Sequence, residues 1–258
     1  MSQLSDIKPG KVWSYFEEIC TIPRLSKNEG KIREYLLDFA RKNKLAAKED
    51  ESGNILILRE ASPGREKVMT VVLQSHLDMV GEKNASHPHD WERDPIIPVV
   101  DGKWVGARGT TLGADDGIGI AAQMALLTDP FIQCGRLECL FTVDEESGMT
   151  GAINLKPDFL TGKILLNLDS EDEGILFIGC AGGIDTQAIL PYTPEKVTAG
   201  DRAMNLSVTG LHGGHSGDEI HKGYGNSIKI IAALLQSLEK KFGIRISSFT
   251  GGNLRNAL

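Results

Sequence analysis

The sequence lacks most of what would place it in a membrane, on nucleic acid or outside the cell. No run of about 18 apolar residues occurs, so nothing has the length of a membrane-crossing helix. Positive charge is not in excess: 28 Lys and Arg stand against 35 Asp and Glu, a formal net charge of -7, and no basic patch invites nucleic acid. The first ten residues are polar and carry no apolar core, so they do not read as a secretory signal. Cysteine is scarce, with Cys20, Cys134, Cys139 and Cys180 scattered and no Cys-x-x-Cys pair. They are expected to be reduced, mostly buried thiols of a cytoplasmic protein, not a structural zinc site. Internal repeats and low-complexity tracts are also missing.

What is present is ordinary in bulk: 258 residues, 41% hydrophobic and 24% charged, enough for one large domain or a medium and a smaller one. Ser26-Lys27-Asn28-Glu29 has the capping-box form that opens a helix, and Ile32, Tyr35, Leu36, Phe39 and Ala40 follow at helical spacing. Asn54 to Arg59 alternates like a strand. Met69 to Gln74, Leu137 to Val143 and Ile164 to Leu168 are short apolar runs of the kind that buried strands use. Gly117 to Leu127 has the small and apolar residues of a helix packed closely on a sheet. Strands separated by helical patterns predict an α/β domain. After the glycine-rich stretch Gly179 to Gly183, Asn205 to Thr209 reads as a strand, Asn226 to Lys240 as an amphipathic helix with Ile228, Ile231, Leu234, Leu235 and Leu238 on one side, and Ile244 to Phe249 as a further strand.

Candidate metal ligands collect where the buried strands end. Met69 to Gln74 runs into Ser75-His76-Leu77-Asp78, Leu137 to Val143 into Asp144-Glu145-Glu146, and Ile164 to Leu168 into Asp169-Ser170-Glu171. The turn Gly113-Ala114-Asp115-Asp116-Gly117 leads into a helix. Open α/β sheets bind ligands at the carboxyl ends of their strands, where loops converge. Any one acid after a strand is ordinarily a turn or cap residue; four such endings together point to a metal site. Imidazole and carboxylate suit zinc, manganese or cobalt. Two ions about 3.5–4 Å apart need a carboxylate to bridge them, and a nearby carboxylate that is not a ligand can take a proton from water. Adjacent glutamates can divide these tasks.

These motifs resemble the co-catalytic zinc peptidases, the family of carnosinase, tripeptidase T, aminoacylase and bacterial glutamate carboxypeptidase. The resemblance rests on Ser75 to Val80, Gly109 to Gly117, Asp144 to Gly148 and Asn167 to Glu171, and it covers the chain from Trp13 to Asn256. The runs Gly179 to Asp185 and Gly251 to Asn256 favour the aminoacyl-histidine dipeptidase branch. The resemblance implies a three-layer α/β catalytic domain over residues 1–183 and the start of an α+β, ferredoxin-like lid over 184–258. It implies hydrolysis of dipeptides, Xaa-His and broader, by a hydroxide bridging two divalent ions, zinc foremost, with manganese or cobalt possible. His76 would be a terminal ligand, Asp115 the bridge, Glu146 a terminal ligand, and Asp169 a ligand of the ion that His76 serves. Glu145 would be the general base, and Asp78 would orient His76 through its other nitrogen. The Asp115–Asp116 bond is commonly cis in this family. His215 would hold the substrate carbonyl from the lid, with His212 its weaker competitor, and the lid would form a homodimer. His87, His89 and His221 read as surface or loop residues.

The family completes its site with a histidine that follows the lid, and no residue here matches it. The chain is therefore expected to be a fragment whose second ion binds weakly and whose own activity is low. The competing expectations are an aminoacylase, deacylase or tripeptidase on the same scaffold, and a truncated relative that does not catalyse.

Overall fold

In the computed structural model, residues 4, 6–84, 86–170, 172–180, 182, 186–212 and 220–251 are described. The chain forms two compact units, residues 1–180 and 181–258.

The first unit is built on a five-stranded mixed sheet. Its strands are β1 (Ala46–Glu49), β2 (Ile55–Arg59), β3 (Val71–His76), β6 (Leu137–Thr142) and β7 (Ile164–Asn167), in the spatial order β1-β2-β6-β3-β7. β1, β2 and β6 pair antiparallel, whereas β3 runs parallel to both β6 and β7. A separate hairpin joins β4 (Pro98–Asp101) to β5 (Trp104–Ala107). β2, β3, β6 and β7 lie close to their predicted positions; β2, β3 and β6 are the buried apolar runs, whereas β7, expected to be buried, exposes Leu165 and Leu166 at the sheet edge, and the exposed β1 was not predicted. All six residues of β6 are buried. Its one acid, Glu138, accepts from the backbone N–H groups of Thr161 and Gly162 at 2.8 and 3.1 Å, so it does not enter the core unpaired.

Helices α1 (Gly10–Cys20), α2 (Gly30–Lys42) and α3 (Ala114–Thr128) supply the apolar cover. Phe16 and Ile19 of α1, Ile32 and Leu36 of α2, and Ile120 and Met124 of α3 are fully buried with Ile55, Ile57, Cys139 and Phe141 of the sheet. Each such side chain contributes about 1.5–3 kcal/mol by leaving water. The opposite sheet face is smaller, with Leu56, Val72 and Leu140 covered by Phe159. Two short turns of helix, α4 (Glu145–Gly148) and α5 (Thr150–Ile153), follow β6.

The helix expected from Ser26 onward begins later, at Gly30, and the capping-box reading fails. Glu29 occupies the cap position, and no side chain caps the helix. The Ser26 and Glu29 side chains bond elsewhere, as described below.

The second unit contains, among its described residues, a single turn of 3₁₀ helix (Ile220–Lys222) and α6 (Ser227–Phe242). Asn226 caps α6 by accepting from the backbone N–H of Lys229 at 3.0 Å, and Gly243 ends it at φ 62, a conformation glycine adopts without a Cβ penalty. Ile231, Leu235 and Leu238 are half-buried, but Ile228 and Leu234 are exposed. The strands expected at Asn205–Thr209 and Ile244–Phe249 do not form. A helix satisfies its own backbone, whereas a strand exists only through a paired neighbour, and neither segment has one among the described residues. No helix among these residues is long and apolar enough to cross a membrane.

One buried side chain ties the sheet to the loop after β6. Asn54, fully buried, donates to the Gly151 carbonyl at 2.9 Å and accepts from the Val143 N–H at 3.2 Å. Asn54→Ala strands both backbone groups. It is expected to destabilise the chain by about 2 kcal/mol, read as a lower midpoint in urea unfolding.

Candidate metal centre

The site forms at the carboxyl ends of the parallel strands. His76 is the last residue of β3 and is 1% exposed. Its Nδ1 lies 3.1 Å from the Asp78 carbonyl and 3.4 Å from Asp78 Oδ1. Its Nε2 lies 2.9 Å from Asp115 Oδ1 and 3.5 Å from Asp169 Oδ1. With the Nδ1 hydrogen donated to Asp78, the Nε2 lone pair faces the other acids, the orientation that a ligating imidazole requires.

Each acid reaches this point by a local turn. Gly113 at φ 70 precedes Asp115 and Asp116, and regular helical geometry starts only after them. The Asp115–Asp116 peptide is cis. Asp144 at φ 54 turns the chain out of β6 and delivers Glu145 and Glu146 into α4. Their N–H groups donate to Asp78 Oδ1 at 2.9 Å and Oδ2 at 3.0 Å. Asp78, with no exposure, thus holds both glutamates and the imidazole. Asp169 follows β7 by two residues.

Two sets of three potential ligand atoms result. His76, Asp115 and Glu146 form one, and His76, Glu145 and Asp169 the other, with all atoms of a set within 4.8 Å of one another. His76, Asp78, Asp115, Glu145, Glu146 and Asp169, all expected at the site, therefore meet. His215 lies outside the described residues, as does Glu171. His212 belongs to the second unit, where its ring packs 4.5 Å from Tyr224. His89 lies in a loop, within the surface-or-loop expectation, but is buried there, with its ring 4.4 Å from Trp91.

The electrostatics fit cations. Burial disfavours a charged His76, yet hydrogen bonds to Asp115, Asp169 and Asp78 prevail and raise its pKa. Burial, and then neighbouring Asp169, pushes Asp116 up to about 8. Burial and Asp115 push Glu146 up to about 7. Glu145 and Asp169 are also raised, foremost by burial. Asp78 goes down, to about 2: burial opposes this, but His76, Ser26 and the Glu145 N–H outweigh it. Asp115 also goes down, foremost through its hydrogen bond to His76. Crowded carboxylates that resist ionisation are the complement of a divalent ion, which replaces their protons. One imidazole with several carboxylates is a donor set for zinc, manganese or cobalt.

The sequence did not single out Arg24 or give Asp116 a task. Arg24, 3% exposed, donates to the carbonyls of Leu77 and Asp78, both at 2.9 Å, and to that of Gly113. Asp116 accepts from the N–H of His76 and of Gly119, both at 3.2 Å. A third acidic set, Glu29, Asp78 and Asp144, is buried. Its oxygens accept from Ser26, Ser147, Thr150 and backbone N–H groups, so donors within the chain already satisfy it.

Known dipeptidases are similar to this chain. No family model matches the sequence. Over all 258 residues the chain is 46% identical to cytosol non-specific dipeptidase of Escherichia coli (strain K12), covering 53% of that protein. It superposes on the crystal structure of aminoacylhistidine dipeptidase from Vibrio alginolyticus with a TM-score of 0.70 and 42% identity, over 99% of this chain and 52% of that one. Both relatives are named as dipeptidases, and the likeness runs along essentially the whole of this chain. The chain spans about half the length of both relatives. A tripeptidase from Staphylococcus aureus, 20% identical with a TM-score of 0.54, covers 97% of the chain and 63% of its own, and shares the fold.

The donor chemistry makes one stability measurement direct. A divalent ion at about 100 times its dissociation constant adds about 2.7 kcal/mol to folding. Zinc is therefore expected to raise the unfolding midpoint of chelator-treated protein in calorimetry. His76→Ala, which removes the atom common to both ligand sets, is expected to abolish most of that rise.

Proposed function

We propose that the protein hydrolyses dipeptides, Xaa-His among them, at a centre of two divalent ions. The observation that carries this reading is the convergence of one imidazole and four carboxylates, from His76, Asp115, Glu145, Glu146 and Asp169, which is more donors than a single four-coordinate ion uses. The 46% identity to a protein named as a dipeptidase supports the substrate class over an acylated amino acid or a tripeptide. His76, Asp115, Glu146 and Asp169 would hold the ions, with Asp115 as the bridge. Zinc is the ion to test first, with manganese and cobalt as alternatives. When bound, the ions supply Lewis acidity that polarises the scissile carbonyl and makes water more acidic.

The chain's own groups do the rest. Asp78 accepts the Nδ1 hydrogen of His76 and so keeps Nε2 aimed at the centre. Glu145 takes a proton from the attacking water and returns it to the leaving amine. Burial raises the pKa of Glu145, which makes it a better base than a solvated carboxylate. In this reading the adjacent glutamates divide the work, one for protons and one for an ion. We assign residues 1–183 to the metal-binding domain and 184–258 to the beginning of a lid. In this reading His215 would steady the substrate carbonyl from the lid, and the lid would mediate a homodimer. The cytoplasm is the compartment proposed, in keeping with the name of the E. coli relative.

Glu145→Gln separates the proposed roles. It is expected to retain bound metal while dipeptide turnover falls about 10²–10⁴-fold, read by metal analysis beside a hydrolysis assay. Turnover within a few-fold of the unaltered protein would reject Glu145 as the base.

A further inference from the structure

We propose that Arg24, Ser26 and Glu29, in the segment between α1 and α2, form a positioning brace that sets the spacing of the metal ligands. The proposal rests on the reading of His76, Asp115, Glu145 and Glu146 as groups of a metal centre.

Four ligand-bearing loops converge from distant parts of the chain, and the one short segment reaches three of them, all but the loop of Asp169. The Arg24 guanidinium bonds the carbonyls of Leu77 and Asp78 at the end of β3, and that of Gly113 at the start of α3. A planar fork with five N–H donors can hold several carbonyls at once, which an ammonium group cannot do with the same geometry. Arg24 thereby links the loop that carries His76 to the one that carries Asp115. The backbone of Arg24 adds a further tie, accepting from the Met79 N–H at 3.1 Å. Space for the guanidinium depends on two glycines: a Cβ on Gly113 or Gly117 would come within 2.7 or 2.6 Å of Arg24 Nη2.

Ser26 and Glu29 act on the third loop. Ser26 Oγ donates to Asp78 Oδ2 at 2.7 Å. The same carboxylate receives the N–H groups of Glu145 and Glu146, so Ser26 fixes the group that aligns both glutamates and His76. Glu29 Oε1 accepts from the Asp144 N–H at 3.0 Å, directly before that pair, and from the Lys27 N–H at 2.8 Å. The side chains that resemble a helix cap are therefore engaged with the site.

A merely structural role and a positioning role differ in what a small change does. Removing one hydroxyl from half-buried Ser26 leaves the core intact. A structural bond would alter only the unfolding midpoint. A positioning bond alters the affinity and coordination geometry of the ions, and outer-shell partners of metal ligands typically matter by about 10–100-fold in affinity.

The test is cobalt(II) titration of the full chain, following visible absorption and, by equilibrium dialysis, the dissociation constant. Ser26→Ala is expected to bind cobalt about 10-fold more weakly, with a changed absorption envelope and a metal-free unfolding midpoint close to that of the unaltered protein. Ser26→Thr, which keeps the hydroxyl, restores both. Arg24→Lys is expected to lose about 10–100-fold. Unchanged affinity and spectrum in Ser26→Ala overturns the brace, including the case where Arg24→Lys fails to fold. Asp115→Ala separates the two levels. If it loses cobalt while the Ser26 and Arg24 variants keep it, the brace alone is wrong. If it binds as the unaltered protein does, or the unaltered protein takes up no cobalt, the metal reading fails and the brace with it.

Discussion

The site depends on which nitrogen of His76 is held. Asp78 meets Nδ1 through both its carbonyl and its carboxylate, and the other face of the ring is left to Asp115 and Asp169. A ring free to flip would offer its lone pair to the wrong side as often as to the right one. Asp78 can do this because its own carboxylate is anchored by Ser26 and by the N–H groups of Glu145 and Glu146. The imidazole and the two glutamates are thus referred to a common anchor, and an error in one is not independent of an error in the other. The same bonds hold the Asp78 carboxyl well below the usual range, at about 2, while burial pushes Glu146 up, and pushes Asp116 up despite the two backbone N–H groups it accepts from.

Much of this frame was legible in the sequence, for a definite reason. A parallel strand covered on both faces must be apolar, and it must stop being apolar where it reaches the rim of the sheet. Leu137 to Val143 therefore marks both a strand and the place where Asp144, Glu145 and Glu146 emerge. The motif around His76 works in the same way. The resemblance then supplied the division of roles, which spacing alone leaves open. What could not be read are bonds between residues far apart in the chain. Ser26 and Asp78 are 52 positions apart and Glu29 and Asp144 are 115 apart, so no local pattern records them.

The Ser26–Glu29 stretch shows how a local rule loses to tertiary structure. A serine followed three residues later by glutamate ordinarily satisfies a helix start by reciprocal bonds. Here stronger acceptors and donors lie nearby: a buried carboxylate for the hydroxyl and an otherwise unpaired N–H of Asp144 for the glutamate. Leaving buried groups of that kind without partners costs more than a helix start left to solvent. The second unit shows the opposite limit. The period of α6 was readable because a helix closes its bonds within itself. Asn205–Thr209 and Ile244–Phe249 have the composition of strands, but composition does not supply the neighbour on which a strand depends.

The adjacent acids carry the last distinction that residue type cannot make. Asp115 and Asp116 are identical side chains one bond apart, yet the Asp115 side chain is 48% exposed beside His76 Nε2, while Asp116 is 1% exposed. Asp116 spends its oxygens on the backbone of His76 and Gly119, and so fastens α3 to the end of β3. Asp115 is left with an oxygen to offer. A carboxylate committed to backbone donors has little capacity for an ion, and one without them has little reason to stay buried unless an ion compensates it. Exposure and hydrogen bonding therefore sort the pair into a fastener and a candidate ligand. That sorting is set by the turn at Gly113 and by the guanidinium of Arg24 behind it, both of which act on the backbone before any ion arrives.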